Sequence, residues 1–120
     1  MRVLLIDDNE NIVEAFKDYY EAEGIDCKAV TNGISGLEEI QKEKYDLVLL
    51  DIAIPELNGM DLLKQLDIKS VDEKNIIVIT ASVLQHDEIK HLKEMGVKEI
   101  LYKPISLEKI EDIKKKYLAK

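Results

Sequence analysis

Short apolar runs alternate along this chain with longer segments in which apolar residues recur every three or four positions. Three of the runs are continuously apolar, which is typical of strands that are covered on both faces of a parallel sheet. The five runs that we predict to be strands are Val3–Ile6, Cys27–Val30, Leu47–Leu50, Ile76–Ile79 and Ile100–Tyr102.

The segments between the runs have the apolar spacing of amphipathic helices, so each is expected to bury one stripe against the sheet. The residues of the five predicted stripes are Ile12, Ala15, Phe16 and Tyr19; Ile34, Leu37 and Ile40; Leu62, Leu63 and Leu66; Ile89, Leu92 and Met95; and Leu107, Ile110, Ile113 and Leu118. Gly24 and Gly96 stand where helices commonly end, and Ser106 is expected to cap the last helix.

Five β-α units predict an α/β domain with a parallel sheet, right-handed crossovers and helices on both faces. The length suits one domain over residues 1–120, and without a linker-like stretch we expect no output domain. The pattern alone leaves two layouts open, the flavodoxin-like strand order 2-1-3-4-5 and a half-Rossmann sheet. In both layouts, ligands bind beyond the carboxyl ends of the strands, where the strand order switches.

Residues able to carry chemistry follow four of the five predicted strands. Asp7 and Asp8 follow the first strand, Asp51 follows the third, Thr80 the fourth and Lys103 the fifth. In the order 2-1-3-4-5 these four strands are contiguous, so the side chains are expected to converge on one cleft. An aspartate at such a junction is often only a helix cap. The combination, with every member at the same end of its strand, indicates a site.

Three carboxylates in one cleft raise each other's pKa unless positive charge offsets them. Lys103 supplies one positive charge, and a divalent cation is the natural remainder. Oxygen ligands without a nearby imidazole suit magnesium, or alternatively manganese, better than zinc. Magnesium keeps positions open for phosphate oxygens, so a phosphoryl group could be held there by Lys103 and the Thr80 hydroxyl. Asp51 is chemically able to accept that group, since aspartyl phosphates are known covalent intermediates.

The charge and composition of the chain indicate which classes of partner and which cellular location to expect. The net charge of −8, from 17 basic and 25 acidic residues, repels a phosphate backbone, so no nucleic-acid partner is expected. No apolar run approaches the roughly 18–20 residues that cross a bilayer, and acidic residues follow the first strand too soon for a signal peptide. We therefore expect a cytoplasmic protein with no membrane partner. Cys27 has no second cysteine to pair with and is expected to be a core residue.

The motifs at the strand ends resemble those of the receiver domains of two-component response regulators, over the whole chain. Asp7-Asp8 is similar to the family's acidic pair, and Asp51, Pro55 and Gly59 match its D-x-x-x-P-x-x-x-G stretch around the phosphoacceptor. Thr80-Ala81 is similar to its Thr/Ser-Ala switch pair, and Lys103-Pro104 to its Lys-Pro pair. The resemblance implies a flavodoxin-like (βα)5 three-layer sandwich with strand order 2-1-3-4-5, of the single-domain chemotaxis-regulator type.

The resemblance also implies a role for each site residue. Asp51 would accept the phosphoryl group, and Asp8, Asp51 and the Ala53 main-chain carbonyl would bind magnesium, with Asp7 acting through water. Lys103 would pair with the phosphoryl group, and the bond between Lys103 and Pro104 is expected to be cis. Gly59 would serve the sharp turn before the third helix. The implied function is a signalling switch rather than an enzyme, with self-phosphorylation and autodephosphorylation as its only activities.

Two features depart from the usual family pattern. Relatives often carry an aromatic residue three positions before the lysine, where this chain has Ile100. Tyr102 lies on the same face of that strand, so we expect the Thr80 switch to be read out by Ile100 packing or by Tyr102. Ala53 and Ser82 are small at positions where family side chains modulate hydrolysis, so this pair is expected to set the phosphoryl lifetime.

The implied partners are a sensor histidine kinase or phosphotransfer protein as donor, and a downstream protein. The output surface is expected on the fourth helix, fifth strand and fifth helix, with the residues Gln85, His86, Lys90, Lys93, Tyr102 and Lys109. We expect a monomer, with phosphorylation-dependent dimerisation as an alternative. A phosphate sink or relay intermediate would use the same site and stays an open alternative.

Two functions outside the family fit these residues less well. A small aspartyl-phosphate-type phosphatase usually places a second acidic residue two positions after its nucleophile, where Ala53 stands. A flavin- or nucleotide-binding module would need a Gly- or Ser/Thr-rich loop after the first strand. The acidic residues found there have the wrong charge for that loop.

Overall fold

The computed structural model describes residues 1–66 and 75–118. In that part of the chain, strands and helices alternate. The strands are β1 (Arg2–Ile6), β2 (Asp26–Val30), β3 (Leu47–Asp51), β4 (Ile76–Thr80) and β5 (Glu99–Tyr102). The helices are α1 (Glu10–Ala22), α2 (Gly33–Lys42), α3 (Gly59–Lys64), α4 (His86–Glu94) and α5 (Leu107–Ile113), and α5 continues into a π-helical turn at Lys114–Leu118.

The five strands form one parallel sheet in the order β2-β1-β3-β4-β5. This confirms the flavodoxin-like layout and excludes the half-Rossmann alternative. Each predicted strand is present, and each boundary differs from the prediction by at most one residue. The order places β1 and β3 side by side, with Ile6 opposite Leu50, so that Asp7 and Asp51 follow neighbouring positions at one edge of the sheet.

The side chains of the sheet alternate between two apolar layers, because successive strand residues point to opposite faces. On one face, Val3 and Leu5 belong to a core that includes residues of α1 and α5. On the other face, Leu4 and Ile6 belong to a core that includes residues of α2, α3 and α4. The helices therefore cover both faces, and the predicted three-layer sandwich is confirmed.

Several expected local features of the helices are present. Ser106 Oγ accepts a hydrogen bond from the Lys109 N–H at 3.1 Å and caps α5. Gly24 and Gly96 follow α1 and α4 with φ of +76° and +99°, the left-handed conformation that glycine adopts without steric cost. Cys27 is buried in the core, as expected.

Three residues of the predicted apolar stripes are exposed instead. Ala15 lies on the solvent side of α1, where Phe16 and Tyr20 are the fully buried residues. Ile34 and Leu107 lie in the first turns of α2 and α5 and are 48% and 61% exposed. The first turn of a helix can extend past the edge of the sheet, so the apolar spacing alone does not guarantee burial there. No helix in the described ranges is long and apolar enough to span a membrane.

Candidate functional site

Three aspartates meet at the carboxyl edge of the sheet. Asp7 directly follows β1, Asp8 comes next, and Asp51 is the last residue of β3. One carboxylate oxygen from each lies within 4.8 Å of those of the other two. Asp7 is fully buried and Asp51 is 5% exposed, whereas Asp8 is open to solvent. The three residues lie together, as expected from the sequence.

Lys103 joins two of these carboxylates. Its Nζ lies 3.0 Å from Oδ2 of Asp7 and 3.2 Å from Oδ2 of Asp51. The backbone N–H of Lys103 donates to the Thr80 carbonyl oxygen at 2.8 Å, which ties the end of β5 to the end of β4. The peptide bond between Lys103 and Pro104 is cis, as the resemblance implied. The lysine therefore reaches the acidic cluster from the strand two places away from β3.

The electrostatics of the cluster favour a bound cation. Burial raises the pKa of Asp7, although the Asn9 N–H at 2.8 Å and the nearby Lys103 ammonium act in the opposite direction. Burial by itself would lower the pKa of Lys103, but its pairing with Asp7 and Asp51 outweighs burial and raises that pKa. Within the cluster, three carboxylates face one ammonium, so negative charge is in excess. Donors that are all carboxylate oxygens suit a hard divalent cation.

The loop that follows Asp51 is held by short backbone contacts. The Ala53 N–H donates to Oδ1 of Asp51 at 3.0 Å, and the Gly59 N–H donates to the Ile52 carbonyl oxygen at 2.9 Å. A Cβ at Gly59 would lie 2.8 Å from the Ile52 Cα. A side chain is thus poorly tolerated at Gly59, as expected, because the backbone of Ile52 approaches it closely.

The Thr80 hydroxyl bonds within its own loop. Thr80 is buried at the end of β4; its Oγ1 accepts from the Ser82 N–H at 3.1 Å and donates to the Ser82 carbonyl oxygen at 3.3 Å. This reciprocal pair leaves the hydroxyl committed to the loop before α4. To donate to a phosphoryl oxygen, as expected from the sequence, the hydroxyl would have to give up the bond that it donates to the Ser82 carbonyl oxygen.

Ile100 and Tyr102 occupy the edge strand β5 next to this loop. Tyr102 lies opposite Thr80 in the β4–β5 register, and Ile100 lies opposite Val78. Ile100 is half-buried and packs against the core under α4, whereas Tyr102 is 43% exposed. The six residues expected on the output surface are all exposed: Gln85, His86, Lys90, Lys93, Tyr102 and Lys109.

Two residues of the site were not singled out from the sequence. Asn9 donates to Asp7 through its N–H and caps α1 through its side chain, which accepts from the N–H groups of Asn11 and Ile12. Gly33, the first residue of α2, donates to the Pro55 carbonyl oxygen in the loop after Asp51. The sequence does contain a signal for each residue. Asn9 directly follows the acidic pair, and an Asn-Gly dipeptide stands at the start of both α2 and α3.

Comparison with known proteins agrees with this geometry. The family model of the response regulator receiver domain matches residues 3–115. The chain belongs to the response regulator receiver family. It is 33% identical to sporulation initiation phosphotransferase F of Bacillus subtilis, over 98% of this chain and 93% of that one. It is 32% identical to the polar-differentiation response regulator DivK of Brucella anthropi, over 98% of this chain and 95% of that one.

Among solved structures, the receiver domain of Francisella response regulator 1452 superposes with a TM-score of 0.78 at 30% identity, covering 93% of this chain and 88% of that one. A receiver domain is a phosphorylation-dependent signalling switch of two-component systems, and this is the function of the chain. Receiver domains bind a divalent metal at an aspartate cluster, and the cluster of Asp7, Asp8 and Asp51 is of that kind.

Proposed function

We propose that Asp51 is the residue that accepts the phosphoryl group, from a phosphohistidine of a sensor histidine kinase or phosphotransfer protein. The observation that carries the proposal is the position of Asp51, almost buried, between an acidic cluster and the Lys103 ammonium. Asp7 also pairs with Lys103 but is fully buried, and Asp8 is exposed and belongs to no strand. Asp51 therefore combines access from the cleft with a cation within 3.2 Å.

In the transfer step, a carboxylate oxygen of Asp51 attacks the phosphorus of the donor. The new O–P bond forms as the P–N bond of the phosphohistidine breaks, and the electron pair of that bond returns to the imidazole. Lys103 can pair with the phosphoryl oxygens without a long movement, because its ammonium is already at the acceptor carboxylate. The product is an acyl phosphate on Asp51, and water later hydrolyses it.

The metal of this site is proposed to be magnesium, with manganese as an alternative. Asp8, Asp51 and the Ala53 carbonyl would bind it directly, and Asp7 through water. When bound, magnesium would offset the charge of the carboxylates and of the incoming phosphoryl group. The excess of carboxylate over ammonium in the cluster supports this assignment.

The signal is proposed to leave through Thr80. A phosphoryl group at Asp51 offers the Thr80 hydroxyl new acceptor oxygens, which compete with the Ser82 carbonyl oxygen for the hydroxyl proton. Movement of Thr80 would change the loop before α4 and the neighbouring β5 residues, Ile100 and Tyr102. A downstream protein would then recognise the α4-β5-α5 surface of a monomeric, cytoplasmic domain.

A relay or phosphate-sink function is the second candidate. The observation that favours it is the 33% identity to a protein named sporulation initiation phosphotransferase F. In a relay the acyl phosphate of Asp51 would pass on to a histidine of a second protein. In a messenger it would stay on Asp51 while the output surface binds its target.

The chemistry is tested by incubating the protein with magnesium and labelled acetyl phosphate and then treating it with hydroxylamine. Hydroxylamine cleaves acyl phosphates and leaves phosphoesters of hydroxyl residues intact. We expect a magnesium-dependent label that hydroxylamine removes. A label that resists hydroxylamine would place the phosphoryl group on a hydroxyl such as that of Thr80 and would contradict the proposal.

A further inference from the structure

The loop after Asp51, residues 52–58, is pressed against the first turn of α2, and we call it the acceptor loop. The Pro55 carbonyl oxygen in this loop accepts two hydrogen bonds, from the Gly33 N–H at 3.0 Å and from the Leu57 N–H at 2.9 Å. The Gly33 bond is a contact between two segments that are far apart in sequence. It ties the acceptor loop to α2 at one point.

The approach of the acceptor loop to Gly33 is too close for any other residue. A Cβ built on Gly33 would lie 1.6 Å from the Leu57 carbonyl oxygen and 2.5 Å from the Leu57 carbonyl carbon. Both atoms belong to the backbone, so no rotation of a side chain could relieve the overlap. The φ of Gly33 is not positive. Glycine is therefore required at this position only because there is no space for a side chain.

The acceptor loop is strained at the same point. Glu56 has a φ of +70°, and the hydrogen bond from Leu57 to Pro55 closes a three-residue turn around it. Such a turn is rare for a residue with a side chain. Strain of this kind persists only where the surrounding structure holds it. Gly33 contacts Pro55 and Leu57, the two residues that flank Glu56, and these contacts hold Glu56 in its conformation.

We propose that Gly33 is a positioning residue for the metal and phosphoryl site. Pro55 lies two residues after Ala53, and the N–H of Ala53 bonds the Asp51 carboxylate. The contact of α2 with the acceptor loop therefore sets where the Ala53 carbonyl stands relative to Asp51. The inference rests on the proposed function, in which that carbonyl binds magnesium.

The test compares Gly33→Ala with Gly24→Ala by titration calorimetry with magnesium chloride. Gly24 is a matched control because its φ of +76° also makes alanine costly, while a Cβ there meets no atom within 4 Å. We expect Gly33→Ala to bind magnesium at least fivefold more weakly than wild type, and Gly24→Ala to bind it within twofold of wild type. Equal magnesium affinity in a folded Gly33→Ala protein would overturn the inference.

A second measurement on the wild-type protein decides the matter even where Gly33→Ala does not fold. Amide hydrogen exchange is followed by NMR with and without magnesium. We expect exchange of the Gly33 amide to slow severalfold when magnesium binds, because the metal would stiffen the acceptor loop to which that amide donates. The Gly24 amide, which donates to the Glu21 carbonyl oxygen at 3.0 Å, should not change. An unchanged Gly33 amide would contradict the inference.

Different results would contradict the proposed metal site and the positioning role of Gly33. A wild-type protein that binds no magnesium would remove the proposed metal site and this inference with it. A wild-type protein that binds magnesium, with the Gly33 variant and the Gly33 amide unaffected, would leave the proposed function intact and overturn the positioning role of Gly33.

Discussion

Lys103 Nζ lies 3.2 Å from Oδ2 of Asp51, although 52 residues separate them in sequence and β4 lies between their strands. The same ammonium lies 3.0 Å from Asp7. The lysine is therefore placed at the acceptor carboxylate before any phosphoryl group arrives. In that position it partly offsets the charge of two aspartates that the fold buries together.

Replacing Lys103 with methionine is expected to separate its two effects. Without metal, the variant should lose about 2 to 3 kcal/mol of unfolding free energy, because Asp7 and Asp51 would remain buried without their cation. Magnesium should stabilise the variant more than it stabilises wild type, since no ammonium competes for the carboxylates. Urea unfolding with and without magnesium measures both effects. Lys90→Met, at an exposed position of α4, is the control and should change stability by less than about 0.5 kcal/mol.

Thr80→Ala tests how the switch is read out. The variant should still take up a phosphoryl group on Asp51. It lacks the hydroxyl that exchanges its bond to the Ser82 carbonyl oxygen for a bond to the phosphoryl group, so the loop before α4 should not respond. In wild type, phosphorylation should shift the NMR signals of the Tyr102 ring, and in Thr80→Ala that shift should disappear. A Tyr102 ring that does not respond in phosphorylated wild type would rule out the tyrosine readout and leave the packing of Ile100.

The phosphoryl lifetime is expected to depend on Ala53 and Ser82, which are small and exposed next to the site. A larger side chain at either position should hinder the approach of water to the acyl phosphate. We expect Ala53→Gln and Ser82→Gln each to slow dephosphorylation severalfold relative to wild type. The decay of phosphoprotein after removal of the donor measures it. Unchanged rates in both variants would show that the pair does not set the lifetime.

A buried pair at the opposite end of the sheet gives a stability prediction with a pH signature. The Tyr45 hydroxyl donates to Oε1 of Glu39 at 2.7 Å, and Lys28 Nζ lies 3.2 Å from Oε2 of Glu39. The hydrogen bond from Tyr45, and to a smaller extent the Lys28 ammonium, lower the pKa of Glu39 below its ordinary value of 4.5. A lowered pKa in the folded state stabilises the protein above pH 4.5, and this contribution is lost as the pH falls through the lowered pKa.

Tyr45→Phe should therefore lose about 1 to 2 kcal/mol of unfolding free energy at neutral pH, and the deficit should shrink in acid. Urea unfolding across the acid range measures the deficit directly. Tyr102→Phe, which removes a hydroxyl from a largely exposed ring, should be close to neutral at every pH. A deficit for Tyr45→Phe that stays constant into strong acid would show that Glu39 is not the partner that matters.

The sheet and its edge were predictable because their signals are local and repeated. Leu47–Leu50 and Ile76–Ile79 are continuous apolar runs, and such runs are covered on both faces wherever they stand in a parallel sheet. Once the strands were placed, the rule that their carboxyl ends share one edge brought Asp7, Asp51 and Lys103 together. The strand order itself came from the family resemblance, because periodicity does not distinguish one order of parallel strands from another.

What the sequence did not show depends on contacts between distant segments. Glu39 follows another glutamate on α2 and has the pattern of a solvated residue, yet it is buried against Tyr45. Glu56 is not a residue type that signals a positive φ. The sequence does not mark Gly33 as part of the site, because its reason for being glycine is the close approach of the Leu57 backbone, 24 residues away. Each of these features exists only after the chain has folded.

The most direct test of the central claim is the intact mass of the protein after incubation with magnesium and acetyl phosphate, beside an Asp51→Asn variant. We expect one added phosphoryl group in the wild-type protein, absent without magnesium and absent from Asp51→Asn. A phosphoryl group that forms in Asp51→Asn at the wild-type rate, or in wild type without any divalent metal, would contradict it.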